Sequence, residues 1–424
     1  MTSTLTMQIG GNNIPFFRAQ ISGGSHGSTG HATVTTSRTA LADQGIDLLE
    51  IAQDAPTVLP VDIYLAQDSG GPFHLFGGEY LKANWRFKAD TVSIHARDWS
   101  GLLVDQKRVL TGNLGGIGAL APGETAGFGV STMNQPLSKL VTSIANQFGL
   151  TPDLRLSQAS GSDPEVGSIF GSGGDTILTA VPQSLWGILM RLARDTGNEV
   201  YTTPDKHLVF GVPGAGLAPL TFAWMQNPPV PPALPLLDLN IEHNPRRNLT
   251  FRVLVLSYDP TARQTTKGQA YVIGSDRATG GGGVVRAGAW SGANASAIQS
   301  SIGTGTASKK NAIPLYTFHV DGLTQAQAAF RAQSIAADIA KRELIVHGAA
   351  DIVPGIAPSQ PVTLDGDIDA GFLSHQYYVT SYAHTFSMPQ GGGGSRGAEL
   401  DTSFMLLDVQ PVGEGTSTLT GSPE

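Results

Sequence analysis

The sequence predicts a mainly β protein with α insertions, an α+β chain built from two strand-rich halves. Three observations predict it. The 53 glycines and 26 prolines imply many turns and long loops. Segments that alternate apolar and polar residues dominate both halves, the signature of half-buried strands. Helical spacing is confined to three stretches. With 40% hydrophobic residues the chain can fill real cores, and its 424 residues suit about two to four domains.

The first 111 residues read as strands. Ile14 to Ile21 is strand-like, and after a Gly/Ser tip "HATVTTSRTA" alternates with β-branched residues. "LPVDIYLAQ" puts Val61, Ile63 and Leu65 on one face and Asp62 and Tyr64 on the other. "YLKANWRFKADTVSIHARD" gives two more strands, with Leu81, Ala83, Trp85 and Phe87 and then Val92, Ile94 and Ala96 facing a core across a turn at Ala89-Asp90. Five or six strands in a row imply a barrel or sandwich.

Residues 112–199 read as an inserted helical and loop region. Its loop at 112–134 precedes Pro136, which opens a helix where a missing N–H does no harm. Leu137, Leu140, Val141, Ile144, Ala145 and Phe148 share one face, and Gly149 stops the helix. Asp163 and Glu165 fall in another loop. A second helix spans about 182–196, with Leu185, Trp186, Leu189, Leu192 and Ala193 as its apolar stripe and Gly197 as its cap. It runs straight into a hairpin, "EVYTTPDKHLVFG", turning at Thr203-Pro204-Asp205-Lys206. Residues 200–226 are expected to complete the first strand-rich unit.

A stiff proline-rich connector, "NPPVPPALPLL" at 227–237, separates the halves. The second half, 238–410, restarts with strands at "LDLNIEHN" and "NLTFRVLVLSYD", then a loose loop at 261–312. A helix at 324–345 follows, with a capping box from Thr324 to Gln327 and a narrow face of Phe330, Ile335, Ile339 and Leu344. Strands "QPVTLDG", "QYYVTSYAHTFSM" and "LDTSFMLLDV" close the half. Residues 411–424 form a loose Gly/Ser/Thr tail.

The net charge is −8, with Lys and Arg scattered and no basic run beyond Arg246-Arg247 and Lys309-Lys310. A DNA-gripping protein needs a clustered basic footprint, whereas an acidic surface lets DNA slide past. The absence of cysteine excludes disulfides, thiolate catalysis and Cys-ligated metals. No stretch approaches ~18 apolar residues, so no membrane-spanning segment is expected, and with no secretory signal the product is expected to be soluble and made in a cytoplasm.

Motif candidates give no chemistry. G-x-S-x-G occurs at Gly23–Gly27 and at Gly393–Gly397, both in glycine-rich loops rather than on a strand–turn–helix. Asp365-Gly366-Asp367-Ile368-Asp369 resembles the start of a calcium loop, but Ala370 and Gln376 stand where glycine and glutamate are needed, so a turn is the better reading. His375 and His384 flank one strand without ligand spacing. Trp186, Tyr377, Tyr378 and Tyr382 read as core and sheet packing. No catalytic, cofactor-binding or metal-ligating residue is assigned, and no cofactor is expected.

Three ordered segments carry a family likeness: "VSIHARDWSGLLVDQK" (Val92–Lys107), "SLWGILMRLARDTGNEVYTTPDKHLVFG" (Ser184–Gly211), and the closing block with its helix, Pro354-Gly355, "VTLDG" and "YYVTSYAHTFS". Together they resemble the late control protein D family, the central hubs of contractile phage-tail baseplates. The resemblance covers much of the chain in order, with gaps at about 112–134 and 260–312. It implies two β-barrel domains similar to tail-tube subunits with smaller domains inserted, and a homotrimer that presents six barrels to a sixfold tube and three chains to a central spike. It further implies a virion structural role without enzymatic activity, and the tail tube protein, central spike protein, tape-measure protein and baseplate wedge proteins as partners. It implies, too, that DNA passes through without specific binding. Two alternatives stand beside it: the hub of an injection machine like the type VI secretion system, and a tail-associated peptidoglycan hydrolase.

Overall fold

A computed structural model of the chain describes residues 4–24, 28–54, 58–66, 71–111, 116–118, 136–156, 183–196, 198–225, 233–243, 251–259, 263–272, 315–319, 325–340, 344–368, 370–373, 376–388 and 399–409. The protein is mainly β, with a closed six-stranded barrel, further sheets and few helices.

The N-terminal unit comprises β1 (Thr4–Ile9), β2 (Asn12–Asn13), β3 (Arg18–Gly24), β4 (His31–Ser37), α1 (Arg38–Asp43), α2 (Leu48–Asp54), β5 (Pro60–Ala66), β6 (Phe73–Arg86), β7 (Thr91–Asp98) and the short α3 (Gly101–Val104). Its ladder runs β2-β1-β5-β6-β7-β4-β3. The period-2 pattern explains the core: Met7, Ile9, Val34, Val61, Ile63, Leu65, Val92 and Ile94 all point inward and are buried. The expected strand from Ile14 is broken. Ile14 donates back to the Met7 carbonyl at 2.9 Å, and β3 begins only at Arg18.

The expected core face of β6 needs correction. A bulge between Tyr80 and Lys82 shifts its phase, and the strand then runs out past the core. Leu81 is 51% and Phe87 70% exposed, while Ala83 and Trp85 are half-buried. Phe87→Ala should therefore change stability by no more than about 0.5 kcal/mol and Trp85→Ala by about 1–2 kcal/mol. Denaturant midpoints of the two variants check this; a multi-kcal loss at Phe87 would contradict the fold.

The middle of the chain holds β8 (Lys107–Thr111), β9 (Gly116–Gly118), α4 (Leu137–Gln147), β10 (Thr151–Arg155), β11 (Gln183–Ser184), α5 (Leu185–Asp195), β12 (Glu199–Thr202) and β13 (His207–Gly211). The predicted stripes of α4 and α5 pack on each other and on the β10-β13-β12 sheet in one core that includes Trp186 and Phe210. Gly149 takes φ +66° and ends α4 as expected. Helix α5 starts three residues later than expected because the Ser184 hydroxyl caps the Gly187 N–H at 3.0 Å. Gly197 and the remainder of the loops at 112–134 and 157–182 lie outside the described residues.

The C-terminal half contains β14 (Leu220–Trp224), β15 (Leu234–His243), β16 (Phe251–Asp259), β17 (Gln264–Val272), β18 (Leu315–His319), α6 (Gln325–Ala340), β19 (Leu344–Asp351), β20 (Pro361–Gly366), α7 (Ala370–Leu373), β21 (Gln376–Ser387) and β22 (Glu399–Val409). The barrel closes through β21-β20-β14-β15-β19-β22 and back to β21. Its interior is filled by Phe222, Val346, Leu364, Tyr377, Phe404 and Leu406, with Phe222 and Phe404 stacked at 4.5 Å.

Four expectations change here. Of residues 200–226, expected to complete the first unit, β12 and β13 pair with β10 in the middle unit and β14 pairs with β15 and β20 in the second barrel. The first unit is completed from the far end of the chain: β3 pairs with Ser381–Ser387 of β21, and Phe386 enters the first core. Leu234–Leu237 of the proline-rich connector are already strand, and within the loose 261–312 region Gln264–Val272 pairs residue for residue with β16. The third helix stops by Ala340. Leu344 opens β19 instead, because "LIVHGAAD" alternates and fits the barrel wall. Thr324, the side chains of Gln327 and Phe330, and residues 411–424 lie outside the described residues.

Helix α6 covers one face of the β17-β16-β18 sheet through Ala328, Ala332 and Ala336. The fit is close: a Cβ at Gly268 would lie 1.7 Å from the Ala328 carbonyl oxygen. The Gln325 amide clasps the Lys267 backbone, accepting from its N–H at 3.2 Å and donating to its carbonyl at 2.7 Å.

Candidate functional site

The hairpin β12–β13 answers what the middle unit is attached to. Its tip is fixed locally. Lys206 adopts φ +63°, Thr203 N–H donates to the His207 carbonyl at 2.9 Å, and the Thr203 hydroxyl accepts from His207 N–H at 3.2 Å. The tip then docks on the N-terminal unit. Trp99 Nε1 donates to the Pro204 carbonyl at 2.9 Å, and the Lys206 ammonium sits 4.3 Å from the Trp99 ring centre. That carbonyl presses on Gly77 of β6, where a Cβ would come within 2.1 Å of it. Glycine is needed here for close backbone approach.

Two polar groups tie the joint. The His74 ring, stacked on Tyr64 at 4.5 Å, lies 2.7 Å from Asp205 of the tip and 3.2 Å from Asp62 of β5. Burial alone disfavours its charged form, but the hydrogen bonds and charges of Asp62 and Asp205 outweigh that and raise its pKa. Asp98, at the end of β7, is half-buried and accepts from Gly30 N–H at 2.7 Å, from Ser100 N–H at 3.1 Å and from the Ser100 hydroxyl. Burial raises its pKa. Next to it, Arg97 bridges Glu79 and Asp105.

The raised pKa of His74 has a direction. A group whose folded pKa lies above its ordinary ~6.5 lends stability that is complete below that value and is lost as pH rises through the folded one. Docking of the hairpin should therefore weaken from pH ~6.5 upward. Amide exchange in β12 and β13, corrected for intrinsic rate, should speed up between pH 6 and pH 8 in the wild type and not in His74→Gln. Equal pH dependence in both would show that the histidine does not hold the tip.

All three units meet at a cavity of about 30 Å³, lined by residues including Ser22, Gly77, Asp98, Thr202, Pro358 and Tyr382. That is room for a water, far below the roughly 300 Å³ of a small-molecule site. Tyr382 of β21 closes it from the barrel side; burial raises the pKa of its hydroxyl. The joint holds three units in register. Its carboxylate is engaged by backbone and serine donors rather than aimed at a substrate.

The residues singled out in the sequence fall elsewhere. Gly23 and Gly24 end β3, while Ser25–Gly27 and Gly393–Gly397 lie outside the described residues. Asp365 caps its own turn, accepting from Gly366 N–H at 2.8 Å, and Asp369, His375, Asp163 and Glu165 are outside the described residues. His384 is buried inside the sheet. Trp186 and Tyr377 are core, as expected, and the Tyr377 hydroxyl donates to the Phe372 carbonyl at 3.0 Å. Tyr378 is half-buried. No group of three or more His, Asp or Glu side chains suited to a metal occurs among the described residues. Sequence reasoning missed the Trp99–Pro204 joint, although the Gly77-Gly78 pair inside a strand signals a close backbone approach.

A closed barrel, a second, seven-stranded ladder continuous with it and a clamped helical insertion define an architectural class of protein. No protein-family model matches the sequence, and no curated protein matches it. Solved structures do match the fold. A tail protein from Neisseria meningitidis MC58 superposes with TM-score 0.58 at 13% identity, over 96% of this chain and 97% of that one. The 43 kDa tail protein of prophage MuSo2 from Shewanella oneidensis gives 0.56 at 11% identity, over 95% and 97%. An E. coli component of the type VI secretion system gives 0.47 at 11%, over 96% and 77%. The chain has the fold of these two tail proteins.

Proposed function

We propose that the chain is the central hub of a contractile-tail baseplate, a homotrimeric adaptor between the sixfold tail tube and the threefold spike. One observation carries the reading. Each chain holds two strand-rich units, β2-β1-β5-β6-β7-β4-β3 and the closed barrel β21-β20-β14-β15-β19-β22, in one continuous ladder. Three copies then offer six such units to a sixfold ring and threefold symmetry to a spike. The near end-to-end match to two tail proteins supports the same role.

In this reading the hub is virion-associated and structural rather than enzymatic. The tube, spike, tape-measure and wedge proteins are its neighbours, and DNA passes without specific binding. The inserted region is positioned by the hairpin joint. Subunit contacts of the order of 2,000 Å² per pair are expected for an obligate ring. Mass photometry of the purified chain should give three copies, and electron microscopy should show that trimer capping tubes assembled from the tube protein of the same tail. A stable monomer that caps no tube would overturn the proposal.

A further inference from the structure

We propose that the end of the N-terminal unit where β3, β4, β6, β7 and β21 terminate side by side is a docking edge for an acidic protein rim, that of the ring stacked on the hub; this rests on the hub reading. The registers build the edge. Ser387, Arg18, Thr35, Ser93 and Asn84 pair across the sheet in one row, and Ser37, Thr91 and Arg86 pair two residues further out. Beyond that row, Met388 N–H donates to Phe17 at 2.8 Å and Arg38 N–H to Asp90 at 3.1 Å. Five adjacent strands make an edge roughly 19 Å long.

The edge inverts the sign of the molecule. Arg18, Arg38, Arg86 and Lys88 are exposed along it, against the carboxylates of Asp90 and Glu399, in a chain with 34 acidic and 26 basic residues. Asp90 is already engaged by the Ser37 hydroxyl at 2.7 Å and by Arg38 at 3.5 Å. At the apex a 3-10 turn, Phe87–Ala89, presents Phe87 at 70% exposure, and Met388 is 47% exposed. The Arg38 guanidinium lies 5.0 Å from the Phe87 ring centre, and Asp90 at φ +49° sets the turn. A pre-set aromatic ringed by cations is the composition of an interface hot spot. Charge complementarity makes the occupant acidic, and the apolar apex makes it a protein surface rather than a phosphate backbone.

The test uses the full chain with assembled tubes from the same tail. Arg86→Glu with Lys88→Glu, and separately Phe87→Ala, should keep the trimer mass and the melting temperature. Tube capping should weaken at least about tenfold, and wild-type capping should weaken as salt rises from about 50 to 300 mM. Variants that cap like wild type overturn the edge alone. Variants that lose the trimer make it a contact between copies and overturn the proposal. A duplex-DNA gel shift abolished by the substitutions while capping persists overturns it in favour of nucleic acid. Wild-type protein that caps no tube overturns the edge and the hub reading together.

Discussion

Phe210→Ala should destabilise the protein by about 3–5 kcal/mol and loosen the middle unit first. Phe210 is fully buried in the centre of the β10-β13-β12 sheet, paired with Leu154 on one side and Val200 on the other. It packs in the core that α4 and α5 share. Truncation leaves a cavity among large side chains held by two helices, a site with little freedom to collapse. Denaturant unfolding measures the total, and amide exchange shows where protection is lost. A change below ~1 kcal/mol would mean that the helices and the hairpin do not share one core.

Acid should weaken the protein well before its surface carboxylates titrate. His384 in β21 is buried, and burial holds its pKa down to about 4. Its Nδ1 is 2.9 Å from the Thr402 hydroxyl, which accepts from Val353 N–H at 2.9 Å. The threonine proton therefore points at Nδ1, which suits a neutral ring. The unfolded chain takes up a proton near pH 6.5 and the folded one only near 4, so stability is complete above ~6.5 and falls as pH drops between the two. The loss is up to ~1.4 kcal/mol per pH unit, roughly 3 kcal/mol in all. Urea midpoints at pH 7, 5.5 and 4 should show it, with a flatter profile for His384→Leu between pH 6.5 and 4.5. A wild-type profile as flat as the variant's would show that the ring stays wet. His74 acts in the opposite sense, which is why its effect is best read locally at the hairpin.

Much of the fold was legible because its signals are local. Alternation at Val61, Ile63 and Leu65 and the helical stripes of α4 and α5 need no knowledge of what they pack on. Partnership was not legible. Nothing within Leu220–Trp224 says that its neighbours are Val362–Gly366 and Leu234, or that Ser381–Ser387 belongs beside Arg18–Gly24. Phase was lost at the Tyr80/Lys82 bulge, which turned Phe87 from expected core into an exposed apex. The cationic edge was hidden for the same reason. Positions 18, 38, 86 and 88 are scattered in the sequence and meet only through strand pairing. The joint was half legible, since the Asp98-Trp99 segment drew attention by its family likeness but its contact with Pro204 spans 105 positions.

Strand β21 shifts register between Val379 and Ser381, so its first part faces β20 and its second part faces β3. One strand therefore joins the two units through seven residue pairs with β3. Neither half can be expressed alone without exposing a raw strand edge.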